Sequence, residues 1–144
     1  MGEMSTGSQV VRFSQDMEEE SAEFYERLAK QESEAGNMFK SFSIQNRKLA
    51  LIVQRAYVSS ISDAVEGCFT FRMEEEEYQI HELLSGPITS DEALDRSLRL
   101  EQTASKFYEE AQKQSQSLLP DVSRAFAAAA RERQKRLAAL ATLT

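Results

Sequence analysis

The chain has 144 residues, a net charge of −7 and a pI near 4.9, which is long enough for one domain with a substantial core and argues against a nucleic-acid surface. The longest mainly apolar stretch, Leu49 to Val58, is interrupted by Gln54 and Arg55 and is too short to span a bilayer. Met1 to Gln9 lacks the apolar core of a signal peptide, so the expected setting is the cytoplasm, with no membrane partner.

Five Gly, two Pro and long runs of Glu, Ala, Leu, Gln, Lys and Arg predict an all-α domain. Cys68 is the only cysteine, which excludes an internal disulfide, a Cys-x-x-Cys knuckle and a dithiol redox pair. As a nucleophile it would need His81, the only histidine, as its base. The plainer reading is a buried or half-buried thiol at a helix end.

Residues 1–7 read as a flexible tail. A first helix over 8–34 follows from Val10, Phe13, Met17, Phe24 and Leu28, with Gly36-Asn37 as its stop. A second, over 37–66, sets Phe39, Phe42, Asn46, Leu49, Val53 and Ala56 on one face, and Gly67 ends it. The opposite line reads Ile44, Leu51, Val58, Val65, flanked by Arg47, Lys48 and Arg55. Either the connection after Gly67 folds back over this line, or it is the seam of a homodimer.

The pattern weakens over 67–89. Phe69, Phe71, Met73, Tyr78, Ile80, Leu83 and Leu84 suit a short helix within a crossover. Glu74 to Glu77, with His81 four residues on, reads as a solvated acidic face rather than a surface metal site. Ser85-Gly86-Pro87 breaks the chain. Thr89 to Glu92 has capping-box spacing and opens a third helix over 90–117. Pro120 starts a fourth over 120–143, with Val122, Phe126, Ala129, Arg133, Leu137 and Leu140 on one stripe. Two helix pairs, 8–66 and 90–143, joined by a long crossover describe an antiparallel four-helix bundle with ferritin-like connectivity.

The pairs share a repeat. Met17-Glu18-Glu19-Glu20-Ser21-Ala22-Glu23-Phe24-Tyr25 matches Leu100-Glu101-Gln102-Thr103-Ala104-Ser105-Lys106-Phe107-Tyr108, and the match continues through Glu26/Glu109, Lys30/Lys113 and Gln31/Gln114. Helical spacing lines Glu18 up with Val11, Ser14, Ser21, Tyr25 and Leu28, and Glu101 with Leu94, Leu98, Ala104, Tyr108 and Ala111. Burying either stripe therefore buries a carboxylate, which must then be metal-bound, paired or protonated.

This Glu-x-x-small-x-x-Phe-Tyr repeat resembles the rubrerythrin branch of the ferritin-like di-iron proteins, over roughly residues 9–143. The resemblance implies one carboxylate from the first and third helices and a Glu-x-x-His pair from the second and fourth. Together these would hold two irons that reduce peroxide or react with oxygen. Glu18 and Glu101 match the first kind of ligand, and Tyr25 and Tyr108 the aromatic packed beneath it. The second kind is lost: its positions fall on Asn46 and Leu49, and on Arg133 and Arg136 or, shifted by one, Gln134 and Leu137.

Two readings follow. In one, the chain is a degenerate member without a di-iron centre or other cofactor, and works as a binding, structural or regulatory module, including an architectural subunit of a larger assembly. In the other, it is an iron-binding oxidoreductase whose atypical site uses Glu18, Glu101 and Glu132. For the first, the expected replacement for metal is a buried Glu18–Arg133–Glu101 network with Asn46 as a further donor, because a guanidinium forks onto carboxylates. The alternative is that Arg133 snorkels outward and the glutamates meet water or take up protons.

Overall fold

The computed structural model describes residues 2–32, 34–60, 70–117 and 119–143 and is all-α in class. Four long helices carry it: α1 (Gly7–Gln31), α2 (Gly36–Ser60), α4 (Ser90–Ser115) and α5 (Pro120–Ala141), with the short α3 (His81–Leu84) between the pairs. The part of the second helix expected over 61–66, and with it Val65, Gly67, Cys68 and Phe69, lies outside the described residues.

Each start has a local cause. Thr6 caps α1 with a capping box to Gln9, Thr89 caps α4 with a capping box to Glu92, and Pro120 occupies the first turn of α5. Gly36 opens α2 rather than ending α1. A Cβ there would lie 2.9 Å from the Ala29 carbonyl oxygen, so the close approach of the two helices needs a glycine.

α1 packs along α2 and α4 along α5, while α2 also meets α5 and α1 meets α4. Met17, Phe24, Leu28, Phe39, Phe42, Leu49, Val53, Leu100, Phe107, Phe126, Ala129 and Leu140 form the shared core. Phe71, Met73, Tyr78, Ile80 and Leu84 join it from the connection. Two arginines fasten that connection. Arg27 donates to the carbonyls of Leu84 (3.1 Å) and Gly86 (2.6 Å), and Arg96 to those of Leu83 (3.0 Å) and Ser85 (3.1 Å). Gly86 has φ 75°, which suits the turn they hold.

The N-terminal residues differ from the flexible tail expected for 1–7. Glu3–Met4 forms a short strand, β1, antiparallel to β2 (Met73–Glu74), and Met4 is buried. Two ladder residues have no readable period; beside the buried Met4, the Phe71 N–H donates to the Ser5 carbonyl (2.8 Å) and the Glu75 N–H to that of Gly2 (3.1 Å). On α5, Arg136 rather than Leu137 faces inward, and Leu137 is only half-buried. Ile44, Leu51 and Val58 are exposed. No helix among the described residues is long and apolar enough to cross a membrane.

Candidate functional site

Glu18 on α1 and Glu101 on α4 are both fully buried, each on the apolar stripe of its own helix. Around them the packing gathers Tyr25, Asn46, Tyr108 and Arg133, all buried, together with Arg136 and the hydroxyls of Ser14 and Ser21. All four long helices thus contribute a polar group to one centre inside an otherwise apolar core.

Arg133 lies between the carboxylates. Its Nη1 donates to both oxygens of Glu101, at 3.0 and 2.9 Å, and its Nη2 to Oε1 of Glu18 at 2.8 Å. Arg136, one turn on, sends Nη1 to Asn46 Oδ1 (3.2 Å) and Glu101 Oε2 (3.5 Å), and Nη2 to the Phe42 carbonyl (3.1 Å). Its guanidinium also sits over the Phe42 ring, 4.8 Å from the centroid, which favours a desolvated cation. Asn46 bridges the two ions, because its amide nitrogen donates to Glu18 Oε1 at 2.6 Å while its oxygen accepts from Arg136. That pairing fixes which way the amide points.

The tyrosines cross over. Tyr25, from the Glu18 motif, donates to Glu101 Oε2, and Tyr108, from the Glu101 motif, donates to Glu18 Oε2. A tyrosine one heptad along is about two turns from the carboxylate of its own helix, so its hydroxyl reaches the neighbouring helix instead. Ser14 completes the second contact, 3.0 Å from the Tyr108 hydroxyl. With Tyr108 donating to Glu18, Ser14 is the donor to Tyr108.

Every oxygen of the two glutamates accepts a hydrogen bond, the pattern of ionised carboxylates. Two anions and two guanidiniums then balance inside the core. Burial, and next the Glu101 carboxylate, push the Tyr25 pKa well above its ordinary value; burial and Glu18 do the same to Tyr108. Burial alone would lower the pKa of Arg133, but Glu101 and Glu18 outweigh it and hold it well above the usual value. The fit has a cost: the buried Nε groups of Arg133 and Arg136 find no acceptor.

Among the described residues no group of three or more His, Cys, Asp or Glu side chains converges, so Glu132 does not join Glu18 and Glu101. Glu132 is only half-buried, and Gln134 points away to Ser105 Oγ at 2.6 Å. His81 is exposed and lies 3.4 Å from Glu20. Arg136 is the network member that hydrophobic patterning passes over. The stripe through Ala129, Arg133 and Leu140 accommodates either 136 or 137, and apolarity favours Leu137. The detectable signal was charge balance, since two buried carboxylates call for a second cation.

Comparisons of the chain with protein-family models, with curated proteins and with solved structures found no match.

Proposed function

We propose that this chain is a ferritin-like four-helix bundle of the rubrerythrin kind in which a buried ion network stands where a di-iron centre would be, and that it works in the cytoplasm as a binding or structural module. The observation that carries this is the fork of Arg133 across Glu18 and Glu101. Iron requires hard anionic oxygens and imidazole with open positions. Here the carboxylate oxygens are taken by guanidinium, phenol and amide donors, and the second-helix ligand positions hold Asn46, Leu49, Arg133 and Arg136. A ferrous ion placed between the glutamates would sit against two cations.

In this reading the network fixes the relative placement of all four helices. A buried ion network of this kind adds little net stability over an apolar core of the same shape, but leaves a strong penalty on any packing that separates its members. That is the property of a rigid scaffold that presents surfaces.

The test is iron content of protein purified from iron-supplemented cells, read with near-ultraviolet absorption and with thermal unfolding before and after ferrous iron is added. The expected result is no stoichiometric iron, no charge-transfer band and an unmoved midpoint, because a ligand that binds only the native state would raise it. Stoichiometric iron with a band that disappears in Glu18→Gln would establish the atypical oxidoreductase instead.

A further inference from the structure

Among the described residues, four of the five exposed large apolar side chains lie on the outward face of α2. Ile44, Leu51 and Val58 are 49 %, 47 % and 62 % exposed, and Ile52 beside them is 47 % exposed. Ser41, Lys48 and Arg55, also exposed, alternate with the first three at intervals of three and four residues, the spacing of a coiled-coil seam.

Charge is distributed as distinctively. In a chain of net charge −7, α2 contains no Asp or Glu and carries Lys40, Arg47, Lys48 and Arg55. Arg47 is already engaged by Glu26 at 2.8 Å and Glu19 at 3.2 Å on α1, which leaves the exposed Lys40, Lys48 and Arg55 facing outward along the apolar line. The corresponding helix of the other pair provides an internal control. α5 turns Asp121, Arg124, Arg131, Gln134 and Lys135 to solvent, so an apolar outer face is not a requirement of the packing.

We propose that this face docks an acidic amphipathic helix of a partner protein. The partner's apolar residues would pack against Ile44, Leu51 and Val58, and its Glu or Asp residues would meet Lys48 and Arg55. Charge complementarity selects this occupant over a second copy of the chain. Two α2 faces laid parallel would oppose Lys48 to Lys48 and Arg55 to Arg55, and laid antiparallel would still bring both Lys48 side chains to the centre with no acidic residue on either helix to answer them. It also selects a helix over an anionic bilayer. Interfacial helices keep their basic residues on the polar face, whereas Lys48 and Arg55 interrupt the apolar line itself. The inference deepens the binding role proposed above but does not require a metal-free centre, so iron analysis tests one and the titration below tests the other.

The experiment uses the full chain and a fluorescein-labelled synthetic peptide of several heptads with Leu at a and d and Glu at e and g, beside a peptide with Lys in place of Glu. Anisotropy titrations are run on the wild type, on Leu51→Glu with Val58→Glu, and on Lys48→Glu with Arg55→Glu. Circular dichroism checks that helicity is kept. The expected result is binding of the Glu peptide alone, weakened about tenfold or more by either pair of substitutions. The charge-reversed variant should turn to the Lys peptide, a gain that misfolding could not produce. The proposal is overturned by no binding of the Glu peptide, equal binding of both peptides, binding that Leu51→Glu with Val58→Glu leaves intact, or binding that survives charge reversal. It is also overturned if the wild type sediments as a dimer that Leu51→Glu with Val58→Glu dissolves, or if phosphatidylserine vesicles retain the chain through this face while the Glu peptide does not.

Discussion

α2 and α5 hold matching places, each the second helix of its pair, and they have diverged on both faces. Inward, α5 gives the centre two guanidiniums, whereas α2 gives an uncharged amide. Outward, α5 is polar and α2 is apolar and basic. The first helices, α1 and α4, match in their carboxylates and phenols, though only α1 adds serine hydroxyls to the centre. Each contributes one carboxylate and one phenol, and each phenol bonds to the carboxylate of the other. The contrast separates what symmetry of the two halves the centre uses from what it does not. Reciprocal hydrogen bonds need both halves alike, but two buried anions can be neutralised from one side only. With both cations on α5, the inner face of α2 contributes positioning through Asn46 rather than charge.

The largest effect should come from removing the cation between the two halves. Arg133→Met leaves two carboxylates buried with one guanidinium, and breaking a buried pair costs about 3–5 kcal/mol. Chemical denaturation should show that loss, and adding Glu18→Gln and Glu101→Gln should return much of it. If the single variant is as stable as the parent, the fork does not organise the centre.

Arg136→Met should cost less, about 2 kcal/mol, since Arg133 still pairs with Glu101 and the lost contacts are hydrogen bonds involving a charged group. Asn46→Leu in the same background should still cost about 1.5 kcal/mol, since Asn46 keeps its bond to Glu18, but less than in the parent, where its acceptor bond from Arg136 is lost as well. Double-mutant cycles measure that coupling, and strict additivity would place the two residues in separate networks.

The smallest effect belongs to the tyrosines, and Tyr108→Phe should cost slightly more than Tyr25→Phe because it also leaves Ser14 without its partner. Tyr25→Phe and Tyr108→Phe should each cost about 1.5 kcal/mol, the lower end for a hydrogen bond to a charged group. Their pH dependence has a definite sign. Burial and the adjoining carboxylate raise both pKa values in the folded state, so the unfolded chain releases these protons first. The stability they contribute is complete below about pH 10 and falls as pH rises past it. The double variant should therefore show a flatter alkaline limb, measured as unfolding free energy against pH. An unchanged limb would mean that both phenols ionise freely in the native state.

Much of the centre was legible because it rests on a repeat. Glu18 and Glu101 stand at matching positions on apolar stripes, and Arg133 lies between Phe126 and Leu140 on the inward stripe of α5. What could not be read was which helix each tyrosine hydroxyl reaches, because helical spacing orders residues along one helix and is silent about its neighbour. Arg136 was hidden for a related reason. Over one turn, intervals of three and four both satisfy the stripe, and only the packing against Asn46 and the Phe42 ring decides between them. Thr6 to Gln9 carries a readable capping box, but it sits within a small, polar stretch that resembles a loose end. Its order comes from Met4 and the pairing with Met73, partners distant in the chain.

The bond from Arg133 to Glu18 joins residues 115 positions apart. Contacts that close so large a loop form late, after the α1–α2 and α4–α5 pairings that are local in sequence. We expect the network to be completed after the rate-limiting barrier to folding. Substitutions there should act on escape from the native state rather than on arrival. Stopped-flow measurements on Arg133→Met should find a folding rate close to the parent's and an unfolding rate raised by nearly the whole equilibrium loss. The centre would then set how long the molecule stays folded more than how fast it folds.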